Sequence, residues 1–270
     1  MPLVLILSLA GSACITVFAA DGLSRLWVMP VSFIAGVIAF TLLYWGILGL
    51  FSLGVSLKKE YDKPSPFYFF LLNAAFWFTN SAARVKVKIT GLEKVPTERR
   101  FLFVSNHRSR FDPMIQSVVL RKTPISFISK PSNFKIPIGR RFMNRSCYIP
   151  IDRESARNAA KSISRAAELI SSDTASIGVY PEGTRSADGK LGDFKAGCLK
   201  AATKSGCPIV VAVIRGTEHI HKRAPWRRTY VTLDILEVIE TNKNEKTAEL
   251  SQTIYDIMHG YLEQKGELKQ

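Results

Sequence analysis

Residues 101–113 read FLFVSNHRSRFDP, an apolar run followed at once by a histidine, two arginines, an aspartate and a proline. The apolar half has the length and composition of a short buried strand, so the polar half is predicted to be the loop leaving its carboxyl end. Ligands bind at that edge of open α/β sheets. We therefore expect the histidine and the aspartate, His107 and Asp112, to belong to a functional site.

Asp112 is compatible with two interpretations. Because Pro113 follows it, Asp112 has the pattern of a helix N-cap with proline at the first helical position. Alternatively, the loop curls so that the Asp112 carboxylate accepts the proton of one imidazole nitrogen of His107. That contact would fix the tautomer and leave the other nitrogen free as a base. Both can hold at once, and His107 and Asp112 are the candidate catalytic residues.

Residues 181–186, PEGTRS, form a second glycine-containing loop at a predicted strand end. Gly183 allows its backbone to approach a ligand closely, and Arg185 can bind a phosphate through two parallel hydrogen bonds. An ordinary turn with a surface arginine is the simpler alternative. The two loops together are more specific than either alone.

Seven short stretches predict strands: residues 85–89, 101–105, 125–129, 148–151, 176–180, 209–214 and 230–236. Helical patterns separate several of them, most clearly in residues 154–170 and 245–264, where apolar residues recur on one face. Strands that alternate with helices predict an α/β fold. We expect a mixed sheet flanked by helices in residues 85–270.

The chain begins with two uncharged apolar stretches, residues 1–20 and 26–57, each long enough for a membrane helix of about 20 residues. We therefore predict a membrane-anchoring region in residues 1–57 that precedes the α/β domain. A cleaved signal peptide is disfavoured because a basic segment does not precede the first stretch. The link 21–25 is charge-balanced whereas two lysines follow Leu57, which predicts a cytoplasmic location for the rest of the chain.

Residues 58–84 are predicted to be a linker with an aromatic helix, FYFFLLNAAFWF at 67–78. This segment is too short to span a bilayer comfortably, and its aromatic residues suit the interface between head groups and acyl chains. A core helix of the following domain is an equally acceptable interpretation.

Composition limits the classes of partner and site. The formal net charge is +15, and all charged residues except Asp21 and Arg25 follow Leu57, which indicates an anionic partner near a membrane. Nucleic acid is disfavoured because no motif interleaves stacking aromatics with basic residues.

The four cysteines lack CxxC spacing and are expected to be reduced thiols. His219 and His221 lack a third ligand nearby, so no metal site is predicted.

Residues 85–235 resemble the glycerolipid acyltransferase family, and most closely its 1-acyl-sn-glycerol-3-phosphate acyltransferases. The family's blocks occur in order: NHxxxxD as Asn106, His107 and Asp112; KPSNFKIPIGRRFMNRSCYIPIDR at 130–153; EGTRS at 182–186 with FKAG at 194–197; and CPIVVAV at 207–213. One position departs from the pattern, since Val211 stands where the family usually has a second proline.

The resemblance implies transfer of a fatty acyl group from acyl-CoA or acyl carrier protein to the sn-2 hydroxyl of lysophosphatidic acid, which yields phosphatidic acid. By similarity His107 is the base, and Asp112 stabilises its imidazolium. The acceptor phosphate is expected at Glu182, Gly183, Thr184, Arg185 and Arg153. Contacts with acceptor or CoA are expected from Lys130, Arg140, Arg141 and Arg145. The resemblance implies no metal and no cofactor.

The implied partners are membrane lipids, lysophosphatidic acid and the acyl thioester, at the cell membrane with the catalytic domain facing the cytoplasm. Two alternatives stay open. An enzyme of the same family could use glycerol-3-phosphate or another lysophospholipid as acceptor. A non-catalytic membrane protein could bind anionic lipid or nucleic acid through the same basic surface.

Overall fold

The computed structural model describes residues 2–19, 27–186, 190–243 and 245–267, and the chain divides into two compact units, Met1–Ser56 and Leu57–Gln270. The first unit contains helix α1 (Pro2–Ala19) and helix α2 (Val28–Leu53). A Cβ placed on Gly36 of α2 would lie 3.3 Å from the Cβ of Ser8 in α1, so small residues allow the two helices to approach closely. The link 21–25 lies outside the described residues.

Only α2 combines the length and apolar composition needed to cross a membrane among the described helices. It has 26 residues and no charged side chain. Both predicted N-terminal helices are therefore present, and α1 is an 18-residue helix without a charged residue. The membrane-anchoring region of two helices stays a prediction, with α2 as a candidate span.

The second unit contains a seven-stranded sheet of order β1-β7-β6-β2-β5-β3-β4. Neighbouring strands run parallel except β6 and β7, which are antiparallel. All seven predicted strands and the mixed α/β class are confirmed. The strands are β1 (Val85–Thr90), β2 (Leu102–Ser105), β3 (Ile125–Ser129), β4 (Ile149–Pro150), β5 (Ser176–Val179), β6 (Ile209–Arg215) and β7 (Thr229–Ile239).

Side chains of the central strands point alternately to the two faces of the sheet. Both faces are buried, because helices cover them. Leu102 and Val104 of β2 pack into one core with the apolar faces of the predicted long helices, whereas Phe103 points to the opposite side. The helices of this unit are α3 (Pro66–Ala82), α4 (Asp112–Val119), α5 (Gly139–Arg145), α6 (Ala156–Ser171), α7 (Lys200–Ser205), α8 (Ile220–Arg223) and α9 (Thr247–Gln264). Helices α6 and α9 contribute to the core that contains Leu102 and Val104.

The aromatic helix α3 has one buried and one exposed face. Phe69, Leu72 and Phe78 are buried, and α3 packs against α4 and α5. Three large aromatic side chains on its outer face are exposed, namely Phe67, Phe70 and Trp77. The core-helix interpretation is therefore correct for one face, and the exposed aromatic face leaves the interfacial role as a proposal.

Gly178 is the point in β5 where the sheet requires a residue without a side chain. A Cβ at this position would overlap the buried ring of Phe127, which lies on the neighbouring strand β3. Both strands are covered by helices, so the ring has little space into which it could move. Gly178 therefore fixes the packing of the strand that leads into residues 181–186.

Replacement of Gly178 by Ala is expected to lower the free energy of unfolding by about 1–3 kcal/mol through overpacking. Thermal unfolding of the full-length protein in detergent would show this as a lower Tm. The matched control is Gly260→Ala in α9, where an added Cβ meets no atom within 4 Å. Because alanine favours helix over glycine, the control should be neutral or slightly stabilising. Equal Tm values for the two variants would contradict the packing argument.

Candidate active site

The two polar loops meet at one edge of the sheet because β2, β5 and β6 run parallel and end there. Asn106, directly after β2, joins its strand to β6 through both atoms of its amide. Its Nδ2 donates to the carbonyl oxygen of Ile214 at 3.0 Å, and its Oδ1 accepts from the Ile214 backbone N–H at 2.8 Å. The first residue of the NHxxxxD motif therefore fixes where the histidine loop begins.

His107 and Asp112 are in direct contact. The distance from His107 Nδ1 to Asp112 Oδ2 is 2.8 Å, and the same oxygen accepts the backbone N–H groups of Arg108 and Ser109, each at 2.7 Å. Asp112 is fully buried. Since Nδ1 faces a carboxylate, the geometry favours the tautomer with the proton on Nδ1 and a lone pair on Nε2.

The N-cap interpretation of Asp112 is wrong. Helix α4 begins at Asp112 itself, Phe111 occupies the N-cap position, and no side chain caps this end. The Asp112 carboxylate turns back onto its own loop because the histidine and two preceding backbone N–H groups supply its donors. Pro113 does lie in the first turn, as predicted.

The imidazole ring of His107 lies on the ring of Tyr180, with centroids 4.2 Å apart and planes inclined by 16°. The Tyr180 hydroxyl donates to Gln116 Oε1 at 2.7 Å, and Gln116 Nε2 donates to Ser105 Oγ at 2.9 Å. Burial, and secondly the charge of Asp112, raise the pKa of Tyr180 well above its usual value. Tyr180 is therefore a neutral phenol that supports the ring. The sequence reasoning missed this role, although Tyr180 directly precedes PEGTRS.

The loop 181–186 holds the backbone of His107 from both sides. Glu182 Oε1 accepts the His107 N–H at 2.8 Å, and the Ser186 N–H donates to the His107 carbonyl oxygen at 2.9 Å. Gly183 adopts a left-handed conformation, with φ of 72°, which allows its N–H to close a turn onto Tyr180. PEGTRS thus positions the histidine as well as bordering a cavity.

The predicted phosphate contact of Glu182 is not supported by the hydrogen bonds of its carboxylate. Its second oxygen, Oε2, accepts the Gly192 N–H at 3.1 Å, so both carboxylate oxygens accept from backbone groups. Burial raises the pKa of Glu182, while these hydrogen bonds and the charges of His107 and Arg108 act in the opposite direction. A buried acceptor in these contacts is suited to hold the loop and not to attract a phosphate.

A polar cavity of about 1160 Å³ borders the histidine loop. Of the predicted phosphate and substrate contacts, Thr184, Arg185 and Lys130 line it. Arg108 and Arg110, which sequence reasoning left without a role, line it as well. The Arg108 side chain is only 2% exposed and pairs with Glu267 at 2.8 Å and Glu218 at 3.4 Å. Both of these glutamates line the cavity too, and the other lining residues are Ser109, Phe111, Ser186, His219, His221 and Lys222.

An apolar cavity of about 440 Å³ borders the same loop through Tyr180, Pro181 and Gly183. Its apolar walls come from β3, β5, α6 and the residue that follows β4. They consist of Ile128, Val179, Ala156, Ala159, Ala160, Ile163 and Ile151. Cationic residues also line it: Arg153, Lys195, Lys200 and Lys204. Arg153 was predicted to assist Arg185 in binding one phosphate. The structure instead places these two residues in the linings of different cavities.

The basic cluster of α5 is separate from both cavities, since Arg140, Arg141 and Arg145 contribute to neither lining. Arg145 instead donates to the carbonyl oxygen of Lys63 at 2.8 Å, and its guanidinium lies 4.6 Å from the centre of the Tyr61 ring. It therefore fastens the segment before α3 to α5. The prediction that this cluster contacts substrate is not supported by its placement.

Other groups of the described residues show no metal-site geometry. His219 and His221 line the polar cavity, and no set of three or more His, Cys, Asp or Glu side chains in the described ranges is arranged to hold a metal ion. The four cysteines are unpaired thiols, as expected. Val211 is buried in β6 next to an irregularity of its pairing with β7, so the departure from the family pattern falls in the core.

Residues 86–215 match the family model described as Acyltransferase. The matched residues include both loops of the candidate site. The names of the curated relatives are more specific than the family description, since these proteins are called 1-acyl-sn-glycerol-3-phosphate acyltransferases.

The relative BAT2, chloroplastic, from Brassica napus is 37% identical over 136 residues, which cover 50% of this chain and 39% of that protein. A relative from Chlamydomonas reinhardtii is 33% identical over 61% of this chain and 50% of its own length. One from Borreliella burgdorferi is 26% identical over 67% of this chain and 74% of its own length. The chain thus spans half or less of the length of the first two relatives.

The crystal structure of the 1-acyl-sn-glycerophosphate acyltransferase PlsC from Thermotoga maritima has the same fold. The TM-score is 0.64 with 24% sequence identity, and the match covers 85% of this chain and 92% of that chain. At this identity the likeness establishes the fold.

Replacement of Glu182 by Ala is expected to loosen the histidine loop, because two backbone N–H groups lose their acceptor. The expected loss of stability is about 1–3 kcal/mol. Amide hydrogen exchange followed by mass spectrometry should show faster exchange in peptides covering residues 105–112. The exposed Glu93 supplies a control, since Glu93→Ala should leave that exchange unchanged. Unchanged protection in Glu182→Ala would contradict the positioning role.

Proposed function

We propose that this protein transfers a fatty acyl group from an acyl thioester to the sn-2 hydroxyl of 1-acyl-sn-glycerol-3-phosphate. The observation that carries the proposal is the contact of His107 with the buried Asp112 at a loop bordered by the polar and the apolar cavity. A phosphorylated lipid acceptor and a fatty acyl thioester need both kinds of surface. The names of the curated relatives support the same acceptor.

His107 is the general base of the proposed reaction. An alcohol is a poor nucleophile near neutral pH, so Nε2 takes the hydroxyl proton while the oxygen attacks the thioester carbonyl carbon. The tetrahedral intermediate then collapses, the carbon–sulfur bond breaks, and the imidazolium returns the proton to the leaving thiolate. Asp112 stabilises the imidazolium through the Nδ1 hydrogen bond and holds the ring orientation.

The acyl group passes directly to the alcohol in this proposal. Cys147 and Cys198 are poor alternative nucleophiles, because burial raises the pKa of Cys147 to about 11 and that of Cys198 to about 12. A thiol with such a pKa is almost fully protonated near neutral pH. The proposed chemistry therefore needs positioning and proton transfer by His107 and includes no metal or redox cofactor.

The acceptor phosphate is assigned to the polar cavity. Arg185, Arg110 and Lys130 line this cavity, and guanidinium groups bind phosphate oxygens through two parallel hydrogen bonds. Arg108 is less suited to this task, since Glu218 and Glu267 already pair with its buried guanidinium. Thr184 adds a hydroxyl to the same wall.

The transferred acyl chain is assigned to the apolar cavity. Each methylene group that leaves water for such a cavity contributes about 0.8 kcal/mol. Small alanine side chains of α6 leave room between the larger isoleucines of the lining. Lys195, Lys200 and Lys204 would suit the anionic part of the donor, a feature that CoA and acyl carrier protein share.

The membrane location follows from the same assignment. Acceptor and product are lipids, and α2 is long and apolar enough to cross a bilayer. A domain tethered next to the membrane avoids the cost of bringing an acyl chain into water. The two lysines after α2 favour a cytoplasmic face for the domain, and the product would enter phospholipid biosynthesis at the cell membrane.

The test is release of free thiol from acyl-CoA by the full-length protein in liposomes, with and without lysophosphatidic acid. We expect release that depends on the acceptor and falls by about 10²–10⁴-fold in His107→Ala, because the base is lost. Parallel reactions with acyl carrier protein as donor, and with glycerol-3-phosphate as acceptor, identify the substrates.

The control is His259→Ala on α9, a histidine outside both cavities that should retain activity. Both variants are checked for native unfolding temperature. Full activity in a folded His107→Ala protein would rule out the mechanism, whereas inactivity of the parent protein with every donor and acceptor would rule out the function.

A further inference from the structure

Residues 219–228, HIHKRAPWRR, form a basic and aromatic segment of which the proposed reaction uses only the part that lines the polar cavity. Four cations lie around one tryptophan, and the segment contains no acidic residue. The cations are Lys222, Arg223, Arg227 and Arg228, and all four are exposed. Such a composition attracts an anionic partner.

Trp226 projects from this segment, and its side chain is 83% exposed. The backbone around it is held in place. Arg84 Nη1 donates to the Trp226 carbonyl oxygen at 2.9 Å, and the Arg227 N–H donates to the Arg223 carbonyl oxygen at 2.8 Å. Ile220 anchors the start of the segment in the core. The fold therefore presents a large amphipathic ring to solvent on an ordered loop.

The segment lies at the same edge of the sheet as the candidate active site. It connects β6 to β7, and because these strands are antiparallel the connection lies where β6, β2 and β5 end. His219, His221 and Lys222 at its beginning line the polar cavity. A partner bound at Trp226 would therefore face the cavity mouth.

A second exposed aromatic residue extends this surface. Tyr230 at the start of β7 is 69% exposed, and its partner in the sheet is Lys86 of β1. Strand β1 runs parallel to β7 and begins at the same edge, which also places Arg84 there. We call Trp226, Tyr230, Arg227, Arg228 and Lys86 the Trp226 surface.

We propose that the Trp226 surface docks on an anionic lipid bilayer and so turns the polar cavity toward the head groups. Tryptophan and tyrosine favour the boundary between head groups and acyl chains, and arginine and lysine favour anionic lipid. A lipid surface is the favoured occupant because α2, in the same chain, is able to place this domain next to a membrane. This contact is additional to the N-terminal helices and needs no catalysis.

The test follows the fluorescence of Trp226 in the full-length protein in lipid nanodiscs. The substitutions Trp27→Phe, Trp45→Phe and Trp77→Phe leave Trp226 as the sole tryptophan. Discs contain phosphatidylcholine with brominated acyl chains, with or without phosphatidylglycerol. In anionic discs we expect emission at shorter wavelength and quenching by bromine, both weakened by high salt. If the triple variant does not fold, the emission of Trp226 is obtained by subtracting the spectrum of Trp226→Phe from that of the parent protein.

A double substitution measures the electrostatic contribution to docking. Arg227→Gln with Arg228→Gln should lower the docked-to-undocked ratio about 25-fold, five-fold for each lost cation. Arg121→Gln with Lys122→Gln removes the same two charges from the turn before β3, at the opposite edge of the sheet, and should leave the ratio unchanged.

Two results would overturn the proposal. Water-like, unquenched Trp226 emission in anionic discs would show that the surface stays away from the bilayer. Protection of Trp226 only after addition of an acidic carrier protein would assign the surface to a protein partner. Because neither reading depends on acyl transfer, an inactive protein that still docks would refute the proposed function alone.

Discussion

The hydrogen bond from His107 Nδ1 to Asp112 Oδ2 is the interaction on which the site depends. One carboxylate oxygen accepts this bond and two backbone N–H groups, so the loop after β2 must curl tightly around it. Burial of a charged carboxylate is costly unless donors compensate it. The three donors at Oδ2 offset part of that cost, whereas Oδ1 is buried without a hydrogen-bond partner among the described residues. In return the loop acquires one conformation with the imidazole at its surface.

Neighbouring elements hold this conformation from outside the loop. Asn106 joins its start to β6, and the 181–186 loop binds both backbone polar groups of His107. The ring itself rests on Tyr180. The imidazole is therefore held by contacts from β6, α4 and the segment directly after β5. Such preorganisation is what a proton transfer in the transition state requires.

The two cavities divide the two chemical tasks of the proposed reaction. The loop 181–186 borders both, with Thr184 and Arg185 lining the polar cavity and Pro181 and Gly183 lining the apolar one. The polar cavity thus offers cations to a phosphate. The apolar cavity combines an apolar wall for a hydrocarbon chain with four cations, Arg153, Lys195, Lys200 and Lys204. His107 stacks on Tyr180 at this boundary, which is where an acyl carbon and a hydroxyl would have to meet.

The sequence predicted the strands well because their alternating or buried apolar runs are local signals. The His107–Asp112 contact also followed from residue types at a strand end. The partners of individual cations and carboxylates did not, since a motif gives residue types and spacing but not which atoms meet. Glu182 binds backbone groups, Arg153 and Arg185 line different cavities, and Arg145 fastens a segment before α3. These pairings depend on tertiary contacts between distant residues.

The protonation of the His107 ring is the most direct test of this account. Nitrogen NMR of the full-length protein with labelled histidine, assigned by comparison with His107→Gln, distinguishes the two neutral tautomers. The account predicts the proton on Nδ1, toward Asp112, and a lone pair on Nε2. A neutral ring with its proton on Nε2 would contradict it, because that nitrogen could not then accept a proton from an alcohol.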